Sequence, residues 1–305
     1  MSVRNLPASV RQRLLNRARA EGRPFNELLQ HYAMERFLYR LSRSQFAGRL
    51  FLKGALLLRV WEAPVGRPTL DIDLLGRMDN EVDTVAEVIR EVIQVPVEPD
   101  GVVFDFGSLE ASRIAEQAEY HGTRVRFLAQ IDTARVRMQV DVGFGDPVYP
   151  AAREEAFPTL LDAPAPVLWC YSRESVVAEK IEAMVRHGAL NTRLKDFYDV
   201  WLLARAFAFD GPTLAEAVRR TFASRETVVS LPLVAFGEDF SSSKSVQWRA
   251  FLRRADIEQV PAAFEEVVDA IRGFVEPVLA TVEGRTAFVA RWDPPGPWVP
   301  SAPAI

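Results

Sequence analysis

Asp71 and Asp73 are the residues from which chemistry is most directly argued. They lie in Thr69-Leu70-Asp71-Ile72-Asp73-Leu74-Leu75, an alternating run that predicts a β-strand. In a strand, residues i and i+2 point to the same side, so the two carboxylates stand together. Two like charges held close are costly unless a counter-charge joins them. A divalent cation is the natural one, and Mg2+ favours carboxylate oxygens combined with the phosphates of a substrate. Alone, a D-x-D pair more often marks an exposed strand face. Here Leu70, Ile72 and Leu74 are expected to face a core, which argues for a buried central strand.

Other residues add to that pair. Lys53-Gly54 sits at a predicted strand-to-helix turn, between Phe51-Leu52 and the helix formers of 55–61. Such a turn offers backbone N–H groups to a phosphate. Asp141 ends a predicted strand over 136–142 and is followed by Gly143 and Gly145. A third acid on a neighbouring strand would complete a two-metal site, or would simply cap the next turn. Lys180, Met184 and His187 share a predicted helix face, and Asp196 and Asp199, three apart, look the same way. Lys195 and Asp199 have the spacing of an ordinary surface ion pair. Arg67, Arg193 and Lys195 add positive charge in the same segments.

The elements that must position these residues can be read from periodicity. The first 50 residues hold ten arginines against three glutamates, with apolar residues at helical spacing. They predict two or three amphipathic helices whose arginine face is either solvated or one wall of a nucleic-acid groove. Pro64, Gly66 and Pro68 mark a loop. A helix is expected over about 79–93, and strands over 102–106, 123–129 and 136–142; the stretch 112–120 is ambiguous. Five prolines in 147–167 predict a crossover between two parts. Helices follow over 172–188, 194–208, 213–223, 245–254 and 260–282, and the proline-rich end, 292–305, predicts an irregular tail.

Composition narrows the class. The chain has 305 residues, 37 Lys plus Arg against 41 Asp plus Glu, and a net charge of -4, which excludes a uniformly basic nucleic-acid coat but not a local basic groove. One cysteine, Cys170, excludes an internal disulfide and a multi-cysteine zinc site. No 18-residue apolar run predicts a membrane span, and the arginine-rich N-terminus does not resemble a secretory signal, so a cytoplasmic location is expected.

Four segments in this order resemble the motifs of the AbiEii/AbiGii toxin family. These are nucleotidyltransferases of bacterial toxin–antitoxin and phage-defence systems, and they include the mycobacterial MenT toxins. Lys53-Gly54-Ala55-Leu56-Leu57 with Arg67-Pro68-Thr69-Leu70-Asp71-Ile72-Asp73-Leu74 is similar to the first motif. Val140-Asp141-Val142-Gly143-Phe144-Gly145 sits at the intermediate acid motif, Glu179-Lys180-Ile181-Glu182-Ala183 at the lysine motif, and Arg193-Leu194-Lys195-Asp196-Phe197-Tyr198-Asp199 at the last. The resemblance spans residues 30–210. One departure is Ala55, where the wider superfamily carries serine and many members glycine, so a role for a serine hydroxyl there cannot apply.

The resemblance implies a mixed α/β (α+β) nucleotidyltransferase core with N-terminal helices over 1–165 and a C-terminal helical domain over 166–305. It implies in-line transfer of NMP from an NTP to an RNA acceptor, the tRNA 3′ end, with loss of pyrophosphate and arrest of translation. Asp71, Asp73 and Asp141 would hold Mg2+, with Mn2+ as an alternative. Asp141 would also orient the attacking hydroxyl. Lys180 would bind the triphosphate as a mobile point charge, with Asp196 orienting it or completing the nucleotide site. Lys53, Gly54, Ala55, Arg67, Arg193 and Lys195 would line the nucleotide. The implied partners are the NTP, the RNA and an antitoxin encoded nearby, with no membrane. Competing readings are NMP transfer to a protein hydroxyl, a non-catalytic nucleotide- or antitoxin-binding module, and a metal-dependent phosphohydrolase.

Overall fold

The computed structural model describes residues 5–64, 67–114, 122–284 and 286–301. Gly66 of the expected loop, residues 115–120 of the ambiguous stretch, His121 and the last four residues of the tail lie outside them. The chain forms two units: Met1–Trp61 with Pro68–Gly145 and Arg153–Cys170, and Glu62–Arg67 with Asp146–Ala152 and Tyr171–Ile305.

The first unit begins with α1 (Leu6–Glu21) and α2 (Phe25–Ser42), followed by β1 (Leu50–Lys53). A 3-10 turn (Gly54–Leu56) leads into α3 (Leu57–Val60), then come β2 (Asp71–Gly76), α4 (Val82–Ile93) and β3 (Val103–Arg113). β4 (Thr123–Ile131), β5 (Ala134–Phe144), β6 (Arg153–Ala156) and β7 (Val167–Cys170) complete it. The strands make a seven-stranded mixed sheet in the order β3-β4-β5-β2-β1-β7-β6. β2 is central, parallel to β5 and antiparallel to β1, and β1 runs parallel to β7.

Alternation decides which side of this sheet is covered. Val125, Phe127, Ala129 and Ile131 of β4 are buried, as are Val136, Met138, Val140 and Val142 of β5, and α2 packs against β5. Polar side chains alternate with them on the opposite face. Leu70 departs from expectation: it is 65% exposed because β2 starts only at Asp71. Its carbonyl, with that of Arg137, instead accepts from the Gln30 side-chain amide of α2, which satisfies the backbone at the mouth of the β2–β5 pair. The stretch 147–167, expected as a crossover, does pass between the two units, with Asp146–Ala152 in one and Arg153–Cys170 in the other. It also holds a strand the sequence did not show: residues 153–156 and 167–170 are the antiparallel pair β6–β7, with Pro147 and Pro150 before β6 and Pro158, Pro164 and Pro166 between the strands.

The arginine face of α1 and α2 is largely committed to the fold. Arg36, 1% exposed, pairs with Glu35 and donates to the Pro164 carbonyl, and Arg40 pairs with Asp100. Arg13 pairs with Asp162, Arg17 with Glu21, and Arg23 with Glu21 and Glu27. These helices therefore offer far fewer unpaired cations than their composition suggests.

The second unit is mainly helical: α5 (Arg173–His187), α6 (Leu194–Ala206), α7 (Gly211–Ser224), α8 (Glu238–Ala255) and α9 (Phe264–Glu283). Ser172 caps α5 by accepting from the Ser175 N–H, and Asp210 caps α7 by accepting from Thr213. The tail is not irregular throughout. β8 (Phe209–Asp210), β9 (Ala290–Trp292) and β10 (Trp298–Pro300) form a small sheet. Aromatic burial overrides the proline content there: Trp292 is 4% exposed and donates its indole N–H to Ala204, while Trp298 stacks on Phe274. Among the described residues no helix is long and apolar enough to cross a membrane.

Candidate active site

The strand pattern places Asp71 and Asp73 on the same face of β2, both half-buried, with Ile72 and Leu74 fully buried on the other. Register extends this face across the sheet. Asp73 is opposite Asp141 of β5 and opposite Lys53 of β1, and Asp71 is opposite Gln139. The Gly54 turn closes over Asp73. Gly54 has φ +73, and a β-carbon there would lie 2.1 Å from Asp73 Oδ2 and 2.9 Å from Asp73 Cβ. Only glycine tolerates both that backbone conformation and that approach, so the turn is built against the carboxylate.

Asp141 has a partner of its own. Arg124 of β4, its register neighbour, grips it through Nε at 2.9 Å and Nη2 at 2.7 Å, and the Gln139 amide donates to it at 3.3 Å. Among the described residues no three His, Cys, Asp or Glu side chains are gathered as a metal ligand set. The donor set that is present, two strand carboxylates with a glycine-cleared space beside one of them, fits a small hard cation that takes its remaining ligands from phosphate and water.

The second unit carries a separate charged cluster. Lys180 of α5 is 11% exposed at its side chain, and its ammonium is held by Asp196 at 2.9 Å and Asp199 at 2.6 Å, both from α6. Arg67 binds Asp199 through Nε at 2.9 Å and Nη2 at 3.0 Å, and Arg193 binds Asp196 at 2.6 Å. Burial alone would push Lys180 down and both carboxyls up. The ion pairs outweigh it, so Lys180 is held above its ordinary range and Asp196 and Asp199 below theirs. All are ionised at neutral pH. Asp196 and Asp199 do look the same way, as their spacing implies. Asp199 is spent on Arg67 and Lys180, while Lys195 is exposed. Lys180 is therefore a cation shared by two carboxylates.

A third cluster went unread in the sequence. Arg225, just beyond α7, bonds Asp146 at 2.8 Å and Glu182 of α5 at 2.6 Å, and lies 3.8 Å from Glu179. Thr227 also donates to Glu182, which is fully buried. The acids flanking Lys180 on α5 are thus anchored. No spacing rule links residues 146, 182 and 225. The burial of Glu182 would have been the only hint, and it appears only in three dimensions.

A mixed sheet with paired carboxylates on its central strand, beside a glycine turn cleared for close approach, fits an enzyme that transfers phosphoryl or nucleotidyl groups. The family model described as "Nucleotidyl transferase AbiEii toxin, Type IV TA system" matches residues 36–270, and the chain belongs to that nucleotidyltransferase toxin family of toxin–antitoxin systems. Among solved structures, a "putative nucleotidyltransferase from H. pylori" is 12% identical, with a TM-score of 0.45, covering 86% of this chain and 98% of its own. JHP933 from Helicobacter pylori is likewise 12% identical at a TM-score of 0.45, covering 85% and 94%. No curated protein matches the chain.

Proposed function

We propose that this family member moves NMP from an NTP to an RNA acceptor, the 3′ end of tRNA, and so blocks translation in the cytoplasm. The observation that carries the reading is the Asp71–Asp73 face with the Gly54 backbone laid against Asp73. The acceptor hydroxyl would lose its proton as its oxygen bonds the α-phosphorus, the bond to the β-phosphate oxygen breaks, and pyrophosphate leaves. The phosphates stay anionic throughout, so catalysis is positioning and charge stabilisation.

Asp71 and Asp73 would hold Mg2+, or Mn2+ in its place, which supplies charge neutralisation for the triphosphate. Asp141 joins that set only by exchanging the Arg124 fork for the ion. In that position its carboxylate would orient the acceptor hydroxyl and take its proton. Lys53, Gly54 and Ala55 would present the turn to phosphate. In the second unit, Lys180, Arg193 and Lys195 would supply positive charge, with Asp196 orienting Lys180 and Arg67 reaching it through Asp199. The antitoxin encoded nearby opposes this activity.

The test is incubation of the pure protein with Mg2+, total tRNA and each α-labelled NTP in turn, resolved on one denaturing gel. Label on tRNA is expected from the wild type, and its loss is expected in Asp71→Asn and Asp73→Asn variants that melt as the wild type does. Label on protein alone would replace the acceptor. Incorporation unchanged in Asp71→Asn would overturn the assignment.

A further inference from the structure

The face that carries Asp71, Asp73 and Asp141 continues along β4 and β5 as a row of arginines. Register places Arg124 opposite Asp141, Arg126 opposite Gln139, Leu128 opposite Arg137, and Gln130 opposite Arg135. All of these side chains share one face, so Arg124, Arg126, Arg137 and Arg135 form a ladder leading away from the carboxylates. Successive residues on one side of a strand are about 6.8 Å apart.

The ladder differs from the arginines of α1 and α2. Arg126, Arg135 and Arg137 are exposed. Arg126 is braced by Gln139 through its Nε, at 3.0 Å. Arg135 and Arg137 form no ion pair or side-chain hydrogen bond among the described residues. The edge strand β3 adds Asp105 and Glu110 to this face, in register with Leu128 and Arg126, yet neither makes an ion pair among the described residues. Guanidinium groups left unpaired on a stiff sheet repel one another and attract a polyanion. Their fork geometry suits phosphate, and their regular step suits a backbone of repeated phosphates.

We propose that this ladder is the track for the phosphate backbone of the RNA acceptor strand, leading its 3′ end toward Asp71 and Asp73. The inference rests on the RNA-acceptor reading above and assigns to β4–β5 the role that composition suggested for the N-terminal helices.

The test is fluorescence anisotropy with a fluorescein-labelled single-stranded RNA over a KCl series, beside tRNA labelling by the same proteins. The Arg135→Ala/Arg137→Ala variant is expected to bind at least tenfold more weakly. Its slope of log K against log salt should fall by about 1.4, at about 0.7 per lost phosphate contact. Arg135→Lys/Arg137→Lys should keep most of the binding, and Arg19→Ala/Arg49→Ala, exposed arginines elsewhere, should bind as the wild type. Both ladder positions are exposed, so melting temperatures stay near the wild-type value. RNA binding and labelling unchanged in the double alanine variant would overturn the track and leave the RNA reading standing. A lysine variant as weak as the alanine one would overturn the charge argument. A wild type that neither binds nor labels RNA would overturn both.

Discussion

Gly54→Ala isolates the effect of the glycine turn on Asp73. The added β-carbon would sit 2.1 Å from Oδ2, 2.8 Å from Cγ and 2.9 Å from Cβ of Asp73. Ordinary carbon contacts need about 3.5 Å, so the carboxylate oxygen must retreat by more than about 1 Å. Rotation about χ1 cannot relieve the Cβ contact, because that atom is fixed by the β2 backbone, so β1 and β2 must also separate. A displacement of about 1 Å at a reacting centre costs about 100-fold in rate. The left-handed backbone at φ +73 adds about 1–2 kcal/mol for a non-glycine residue. Gly145→Ala is the control, since Gly145 has φ +83 but nothing within 4 Å of its missing β-carbon. Both variants should lose a similar 1–2 kcal/mol of backbone preference in urea unfolding, with an added loss for Gly54→Ala from the collision. Only Gly54→Ala should lose about 100-fold in pyrophosphate release, while Gly145→Ala stays within a few-fold. Equal losses in the two variants would refute the argument, since strain rather than displacement of Asp73 would then explain them. Near-normal activity in Gly54→Ala would refute it more simply.

Three further outcomes follow from the buried charges. Arg225→Ala removes the cation shared by the buried Asp146 and Glu182, leaving Glu182 the more distant Arg186 at 3.4 Å, and should cost about 3–5 kcal/mol in urea unfolding; a cost below about 1 kcal/mol would contradict the ion-pair account. Asp199→Asn removes the charge that the Arg67 fork grips and loosens Lys180, with a similar cost at pH 7. Asp199 is held below its ordinary 3.8, so its stabilisation is present above that value and lost as pH falls through the folded one. The gap between wild type and Asp199→Asn should therefore narrow between pH 7 and pH 3, and a constant gap would count against it. Glu35 has the opposite sign. Burial pushes it up to about 6 despite Arg36 and the Leu160 N–H, so the folded state holds its proton longer than the unfolded chain does. Its contribution is full below its ordinary 4.5 and falls by about 2 kcal/mol as pH rises through 6, a decline that Glu35→Gln should abolish.

The elements whose hydrophobic period was complete were legible in the sequence. β4 and β5 alternate over nine or more residues, β2 alternates over its first four, and α5, α6 and α9 keep a helical stripe, so their boundaries fall close to those read from periodicity. β6 and β7 were not, because each has only four residues and β6 is Arg-Glu-Glu-Ala, exposed throughout. Its strand state comes from pairing with β7, which is information no local window contains. The C-terminal sheet was hidden for a related reason: five prolines outweigh two tryptophans on any local scale, and only the shared Phe274 contact reverses the balance. The placement of Asp71 and Asp73 on one face followed from a period of two. The Arg124 grip on Asp141 and the Arg67 grip on Asp199 join residues that spacing cannot connect. The same limit made the N-terminal arginines look like a cationic surface, since Asp100, Asp162 and the Pro164 carbonyl lie far along the chain.

The pairing of β1 bears on how the chain is made. β1 is flanked by β2, its near neighbour in sequence, and by β7, whose Cys170 meets Leu52 after more than a hundred intervening residues. During synthesis, β1 and β2 can pair early, but the backbone groups on the other edge of β1 stay unpaired until β7 has left the ribosome. β2 likewise awaits β5. An interior strand with an unpaired edge is a template for wrong pairing, and long-range parallel contacts form slowly. The central carboxylates are consequently assembled late, and a chain truncated before residue 167 lacks the strand that closes the sheet beside them.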